Sequence, residues 1–83
     1  MDETQIHDAV LAELSAIAPE VDTRALQPGK LLRTQVDLDS YDWLHFLIAL
    51  HERLHVEIPE SDYAQLTTLD ALVAYLKSRS PGG

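Results

Sequence analysis

The stretch from Trp43 to Leu54 constrains the fold of this chain more than any other part of the sequence. Drawn as a helix, it is apolar over most of its circumference, with the members Leu44, Phe46, Leu47, Ile48, Leu50 and Leu54. One continuous strip of less hydrophobic positions, spaced three or four apart, consists of Asp42, His45, Ala49 and Glu52. A helix with so many apolar sides has to lie between other helices. The sequence therefore predicts a helical bundle in which this segment is central.

Two amphipathic segments flank the central one. The first repeats apolar residues at helical spacing before Pro19, with the members Ile6, Val10, Leu11, Leu14 and Ile17. The last segment has the same spacing and consists of Leu69, Leu72, Val73 and Leu76. Such stripes are typical of helices that pack on one face. We expect a shared core that includes Leu11, Leu14, Phe46, Leu50, Leu54, Leu72 and Leu76.

The ends of these helices are predicted from capping residues. Asp39 is the expected N-cap of the central helix, which should begin at about Ser40. Thr67, with an acid three residues later, indicates the start of the last helix. Pro59 is expected to close the central element, and residues 60–65 to form a short helix or turn.

Together these elements predict an all-α fold: a small four-helix bundle of three main helices and one short helix. A long loop, with room for one helical turn near residues 23–26, separates the first two main helices. A chain of 83 residues is enough for one domain, residues 1–83. We expect an ordered core over about 4–79 and a flexible tail over 80–83.

Composition narrows the classes of partner. The formal net charge is −8, and the stretch from Gln35 to Asp70 holds eight of the 14 acidic residues against one of the six basic ones. Such a field repels nucleic acids and anionic membranes and attracts basic protein surfaces. There is no Cys and no apolar run long enough for a membrane span. The acidic start of the chain is unlike a signal peptide, so we expect a cytoplasmic protein. We also expect it to be a monomer.

One stretch of the central helix matches a zinc-protease pattern. His51-Glu52-Arg53-Leu54-His55 has the H-E-x-x-H spacing, in which two histidines bind zinc and the glutamate acts as base. Pro59 ends the helix soon afterwards, and a domain this small offers no substrate cleft. We reject a protease and leave open only adventitious zinc binding by His51 and His55.

A second stretch, residues 37–42, has the alternating acids that begin a calcium loop. The later positions of such a loop need Gly and Glu, and here they hold Asp42 and Ile48. No metal site is predicted.

The segment Asp39-Ser40-Tyr41-Asp42, followed by a hydrophobic helix, resembles the signature of acyl carrier proteins, which carry Asp-Ser-Leu at this point. Further landmarks follow at the spacings of that family, namely Ile48-Ala49-Leu50, Glu57-Ile58-Pro59 and Leu66-Thr67-Thr68-Leu69. Apolar positions of the first helix and loop also match, at Val21, Leu26 and Leu32. The resemblance covers the chain from Ile6 to Leu76.

This resemblance implies that a phosphopantetheinyl transferase attaches 4′-phosphopantetheine to Ser40, with Asp39 as the flanking motif residue. The thiol of the arm would hold an acyl group as a thioester. The protein would then be a carrier and a cosubstrate of other enzymes, and not itself an enzyme. A phosphodiester at a helix N-terminus lies near free N–H groups and the positive end of the helix dipole. A groove between the main helices would shelter a short acyl chain.

The resemblance also implies a docking surface along the second main helix. The residues expected there are Tyr41, Asp42, Leu44, His45, Ile48, His51 and Glu52. The partners would be loading and condensing enzymes with basic docking patches, in fatty-acid, polyketide or related biosynthesis. Charge pairs of this kind steer the encounter more than they fix affinity.

Some positions depart from the family pattern. Tyr41 replaces the usual Leu, Trp43 and Asp37 are unusual, and His45 and His51 stand where glutamate is common. We interpret the chain as a specialised carrier and not a housekeeping one. Two alternatives stay open: an aminoacyl or peptidyl carrier of a non-ribosomal pathway, and an unmodified helical adaptor.

Overall fold

The computed structural model describes residues 2–79, most of which are helical. The tail expected at residues 80–83 lies outside the described residues. Within residues 2–79 the one extended pairing is an isolated bridge between Leu31 and Thr68. The α-helices are α1 (Glu3–Ile17), α2 (Leu32–Gln35), α3 (Ser40–Leu54) and α4 (Leu69–Arg79), and the 3-10 helices are Thr23–Ala25 and Glu60–Gln65. The predicted helical bundle is confirmed, with one additional short helix, α2.

The first helix begins with a reciprocal cap. The Gln5 N–H donates to the Asp2 carboxylate over 2.8 Å, and the Asp2 N–H donates to the Gln5 side chain over 3.0 Å. Two of the N–H groups that a helix start leaves without partners are thereby satisfied. The helix ends at Ile17, two residues before Pro19 as expected.

The third helix was expected to be central, but it is α1 that packs against both α3 and α4. Leu14, Phe46, Leu50, Leu54, Leu72 and Leu76 are all buried, as predicted. Leu11 is only partly buried and packs against the edge of the core, since it lies about 100° around α1 from the buried Val10.

The end of α3 differs from the prediction. Pro59 does not close the helix, because α3 already ends at Leu54. The next residue, His55, has a φ of 54°, in the left-handed region that commonly terminates helices. The Nδ1 of His51 lies 2.7 Å from the carbonyl oxygen of Val56. A carbonyl only accepts, so Nδ1 carries the proton of this hydrogen bond.

The start of α4 also needs a correction. The N-cap is Thr68 and not Thr67, because the Ala71 N–H donates to the Thr68 hydroxyl over 3.1 Å. The carbonyl of Thr67 instead accepts the Leu32 N–H over 2.9 Å. Thr67 is therefore engaged with the long connection, which the local pattern did not reveal.

The long connection between α1 and α3 is firmly attached to the rest of the fold. Leu32, Val36 and Leu38 are buried in the core. The Asp70 N–H at the start of α4 donates to the Pro28 carbonyl over 3.1 Å. The central part of this connection is therefore anchored to the start of α4. The anchoring holds α2 next to the N-terminal end of α3.

Ion pairs link the long helices at their surfaces. Arg53 of α3 pairs with Glu13 of α1 over 3.1 Å, and Lys77 of α4 pairs with Glu3 of α1 over 3.5 Å. These pairs are solvent-accessible, so each adds little stability. Among the described residues there is no helix with the length and apolar character that a bilayer span requires.

Candidate functional site

Ser40 is the first residue of α3, and it is exposed. The predicted N-cap is confirmed: the Asp39 carboxylate accepts the Asp42 N–H over 2.8 Å. The Asp39 carbonyl accepts the Trp43 N–H over 3.0 Å. The backbone on both sides of Ser40 is therefore fixed, while its hydroxyl faces solvent at a rigid position.

Arg33 of α2 reaches the same end of α3. Its Nη2 donates to the Ser40 Oγ, and its Nε donates to the Leu38 carbonyl, each over 3.4 Å. Sequence reasoning missed this residue, because it lies seven positions before Ser40 on a four-residue helix. Its charge did not mark it either, because the segment between Asp22 and Asp37 holds two other bases, Arg24 and Lys30, and no acid.

A cleft of about 560 Å³ lies next to Arg33, the residue that contacts Ser40. Its lining comes from the long connection, the first turn of α3 and the segment around the second 3-10 helix, and consists of Leu31, Arg33, Leu38, Trp43, Tyr63, Ala64 and Thr67. The groove predicted from the sequence lies instead between the three main helices. The interior there is filled by fully buried side chains, such as Leu14, Leu50 and Leu72.

Trp43 forms part of both the core and this cleft. Only 8% of its surface is exposed, and its ring lies 5.3 Å from that of Phe46, centroid to centroid. An indole in this position supplies a large apolar wall. The structure therefore places Trp43 on the interior side of α3, where it is not available as a docking residue.

The second 3-10 helix, which forms the opposite wall of the cleft, is held against α4 by polar contacts. The Tyr75 hydroxyl donates to the Asp62 carboxylate over 2.7 Å, and Arg79 lies 3.6 Å from the same carboxylate. The guanidinium of Arg79 also sits 4.7 Å above the Tyr75 ring. Burial, followed by the hydrogen bond to Asp62, raises the pKa of Tyr75. Its phenol therefore stays protonated at neutral pH and keeps the second 3-10 helix in place.

The residues expected to dock partners lie along α3. Tyr41, Leu44 and Ile48 are exposed by 67%, 39% and 42%. Their spacing places them on one side of the helix, and we call these three the apolar face of α3. His45 stacks on Tyr41 with ring centroids 4.3 Å apart, and Asp42 is half-buried in its capping contact.

His51 and Glu52 are exposed but lie towards the other end of the helix. His51 is eleven residues beyond Ser40, which is about 17 Å along an α-helix. Its imidazole is engaged with the Val56 carbonyl. The seven expected docking residues therefore extend along α3, and Ile48 and His51 line one shallow cleft together.

The H-E-x-x-H stretch does not form a helical histidine pair. Its second histidine, His55, is the left-handed residue beyond the end of α3. Over residues 2–79 no three His, Asp or Glu side chains come together in a group that could hold a metal ion.

Ser40 offers an exposed hydroxyl, and Arg33, which contacts it, also lines the cleft. A family model described as "Phosphopantetheine attachment site" matches residues 8–76.

Three curated relatives are all named acyl carrier protein. That of Streptomyces coelicolor is 27% identical over 75 residues, covering 90% of this chain and 82% of the relative. That of Campylobacter concisus is 29% identical over 72 residues, covering 87% of each. That of Lactobacillus acidophilus is 28% identical over 78 residues, covering 94% of this chain and 96% of the relative.

The family model spans most of the chain, and each relative aligns over more than four fifths of its own length. The matching family is described by the attachment of phosphopantetheine, and the relatives are named as carriers of acyl groups. The chain therefore belongs to the acyl carrier protein family.

Proposed function

We propose that Ser40 is the residue that receives the 4′-phosphopantetheine arm, and that residues 1–83 act as one carrier domain. The observation that carries this proposal is the position of the Ser40 hydroxyl. It is exposed, it begins α3 directly after the capping Asp39, and it borders the 560 Å³ cleft through Arg33. Ser61, another exposed serine, lies in the second 3-10 helix, where it does not follow a capping acid.

The proposed attachment is a phosphoryl transfer from coenzyme A. The bond between the Ser40 Oγ and phosphorus forms while a bond of the coenzyme A pyrophosphate breaks, and adenosine 3′,5′-bisphosphate leaves. The hydroxyl proton passes to a base supplied by the transferase, since no carboxylate or imidazole hydrogen-bonds to the Ser40 Oγ among residues 2–79. What this chain provides is a rigid, solvent-facing nucleophile position.

We propose acyl groups as the cargo, held as thioesters on the thiol of the arm. The name shared by the three relatives supports acyl over aminoacyl groups. The chain has no Cys, so the arm would supply the only thiol. Such a cargo implies a role in fatty-acid, polyketide or related biosynthesis. Tyr41 and His45 depart from the family pattern, and we infer from them that the enzyme set is specialised.

We further propose that the enzymes of that set dock on the apolar face of α3. The rim includes Asp42 and Glu52, and a net charge of −8 favours partners with basic patches. Long-range attraction of this kind speeds the encounter and still lets the complex dissociate, as a shuttle requires.

The test is intact-mass spectrometry after incubation with coenzyme A and a broad-specificity phosphopantetheinyl transferase. Wild type should gain the mass of one phosphopantetheine, and Ser40→Ala should gain none. Ser61→Ala is the matched control, because it removes another exposed hydroxyl and should be modified as wild type is. Circular dichroism on each variant establishes that the fold is intact.

Two outcomes would overturn the proposal. Modification of Ser40→Ala would place the arm on another residue. An unmodified wild type, alongside a control carrier that is modified, would favour the unmodified adaptor. If modification succeeds, loading assays with acyl and aminoacyl donors separate an acyl carrier from a peptidyl carrier.

A further inference from the structure

Arg33 is a charged residue at the Ser40 end of α3 for which the proposed attachment reaction has no use. Its guanidinium donates once to the Ser40 Oγ and once to the Leu38 carbonyl. A guanidinium has five N–H donors in a planar fork. Donors therefore remain for a further acceptor next to the Ser40 hydroxyl.

Within residues 2–79, no carboxylate lies within salt-bridge distance of the Arg33 guanidinium. Asp37, Asp39 and Asp42 are close to it in sequence, yet the salt bridges found within residues 2–79 involve Arg24, Arg53, Lys77 and Arg79. The Asp39 carboxylate accepts the Asp42 N–H instead. The cationic guanidinium of Arg33 therefore contacts a neutral hydroxyl, although the net charge of the protein is −8.

Resting on the proposed attachment at Ser40, we propose that Arg33 is a positioning residue that binds the phosphodiester of the arm. The phosphorus is bonded directly to the Ser40 Oγ, so the phosphate oxygens come within reach of the guanidinium that already contacts this atom. The planar fork of arginine matches phosphate oxygens, and such charge-assisted hydrogen bonds are stronger than neutral ones.

This contact would set the direction in which the arm leaves Ser40. Arg33 lines the cleft together with Leu38 and Trp43. A phosphodiester held by Arg33 starts the arm on the cleft side of α3. The apolar face of α3 then stays uncovered for partner enzymes, and the arm starts next to an apolar wall.

A purely structural role predicts a different result. The bond from Nε to the Leu38 carbonyl supports the backbone in front of α3 whether or not the arm is attached. If this were the only role, loss of Arg33 would lower the stability of the apo and holo proteins equally. A positioning role makes Arg33 matter more in the holo protein.

The experiment compares melting temperatures of the apo and holo full-length proteins, after mass spectrometry has verified modification. The variants are Arg33→Gln, Arg33→Lys and the control Arg24→Gln, which removes the same charge from an exposed side chain paired with Asp22. We expect the difference between holo and apo melting temperatures to fall by about 3 °C in Arg33→Gln relative to wild type. Arg24→Gln should leave this difference unchanged.

Arg33→Lys keeps the charge without the fork and should retain part of the difference. It also carries the comparison if the transferase modifies Arg33→Gln poorly. Sodium chloride at 0.5 M should reduce the wild-type effect by at least about half, because the contact is solvent-accessible.

An equal holo-to-apo difference in wild type and Arg33→Gln would overturn the inference and leave the proposed function standing. An effect of the same size in Arg24→Gln would likewise overturn it, because general charge would then be the cause. Wild type that gains no mass would overturn the proposed function, and the inference with it.

Discussion

Leu44 on one face of α3 and Leu50 on another are the same residue type in the same helix, yet their surroundings are opposite. Leu44 is 39% exposed, beside Tyr41 and Ile48, whereas Leu50 is completely buried. The buried face packs into the core along the whole helix, from Trp43 to Leu54. The exposed face leaves apolar surface in solvent.

This difference teaches that a single helix can divide stability and recognition between its faces. Burial of an apolar side chain stabilises the fold, whereas an exposed apolar group contributes little until a partner covers it. In our proposal the exposed face gives up burial to meet partner enzymes. Two predictions on this pair of leucines test the division, and two more concern the ends of α3.

The largest effect is expected from truncating the two leucines. Leu50→Ala should lower the free energy of unfolding by about 3 kcal/mol, because it leaves a cavity in a packed core. Leu44→Ala should lower it by less than about 1 kcal/mol. Urea denaturation followed by circular dichroism measures both.

The same pair separates stability from docking. Under conditions where both proteins are folded, Leu44→Ala should reduce the kcat/KM of the phosphopantetheinyl transferase by about fivefold or more. Leu50→Ala should leave it near the wild-type value. Equal losses in both variants would break the comparison, because they would show that α3 acts as one unit.

The next effect concerns the cap at the N-terminal end. Asp39→Ala should lower the free energy of unfolding by about 1 kcal/mol, because the Asp42 N–H loses its acceptor. Asp39→Asn keeps an acceptor oxygen and should cost only a few tenths of that amount. Thermal denaturation of both variants measures the difference, and equal losses would mean that charge matters here and the cap does not.

The smallest effect concerns the C-terminal end. His55 has a φ of 54°, where a Cβ is strained and glycine is not. We expect His55→Gly to be more stable than His55→Ala by about 0.5–1 kcal/mol in urea denaturation. Should His55→Ala be equal or better, the left-handed backbone would not be what ends α3.

Sequence patterns predicted the elements whose causes are local. The first and last helices, the start of α3 at Ser40 and the Asp39 cap depend on residues within one or two turns of each other. The 3-10 helix at Glu60–Gln65 was also expected as a short helix or turn. These features follow from spacing and capping, which act over three or four residues.

The failures have a common cause. Thr68 and not Thr67 caps α4, because Thr67 bonds to Leu32, which is distant in sequence. Leu54 and not Pro59 ends the helix, because His55 adopts a left-handed backbone and the Val56 side chain is buried. Each of these two helix boundaries depends on packing that the local pattern does not show: Thr67 bonds to Leu32, and Val56 is buried.

By itself, the sequence determined that this chain forms a helical bundle, and that Ser40 begins α3 behind a capping aspartate. Those outcomes depend on short-range spacing and on the need to bury apolar stripes. Only the tertiary structure decided that Leu50 is buried while Leu44 is exposed, and that Arg33 meets Ser40 at the edge of a cleft. The reason is that burial and side-chain pairing depend on which helix covers which face, and that is settled when distant segments pack together.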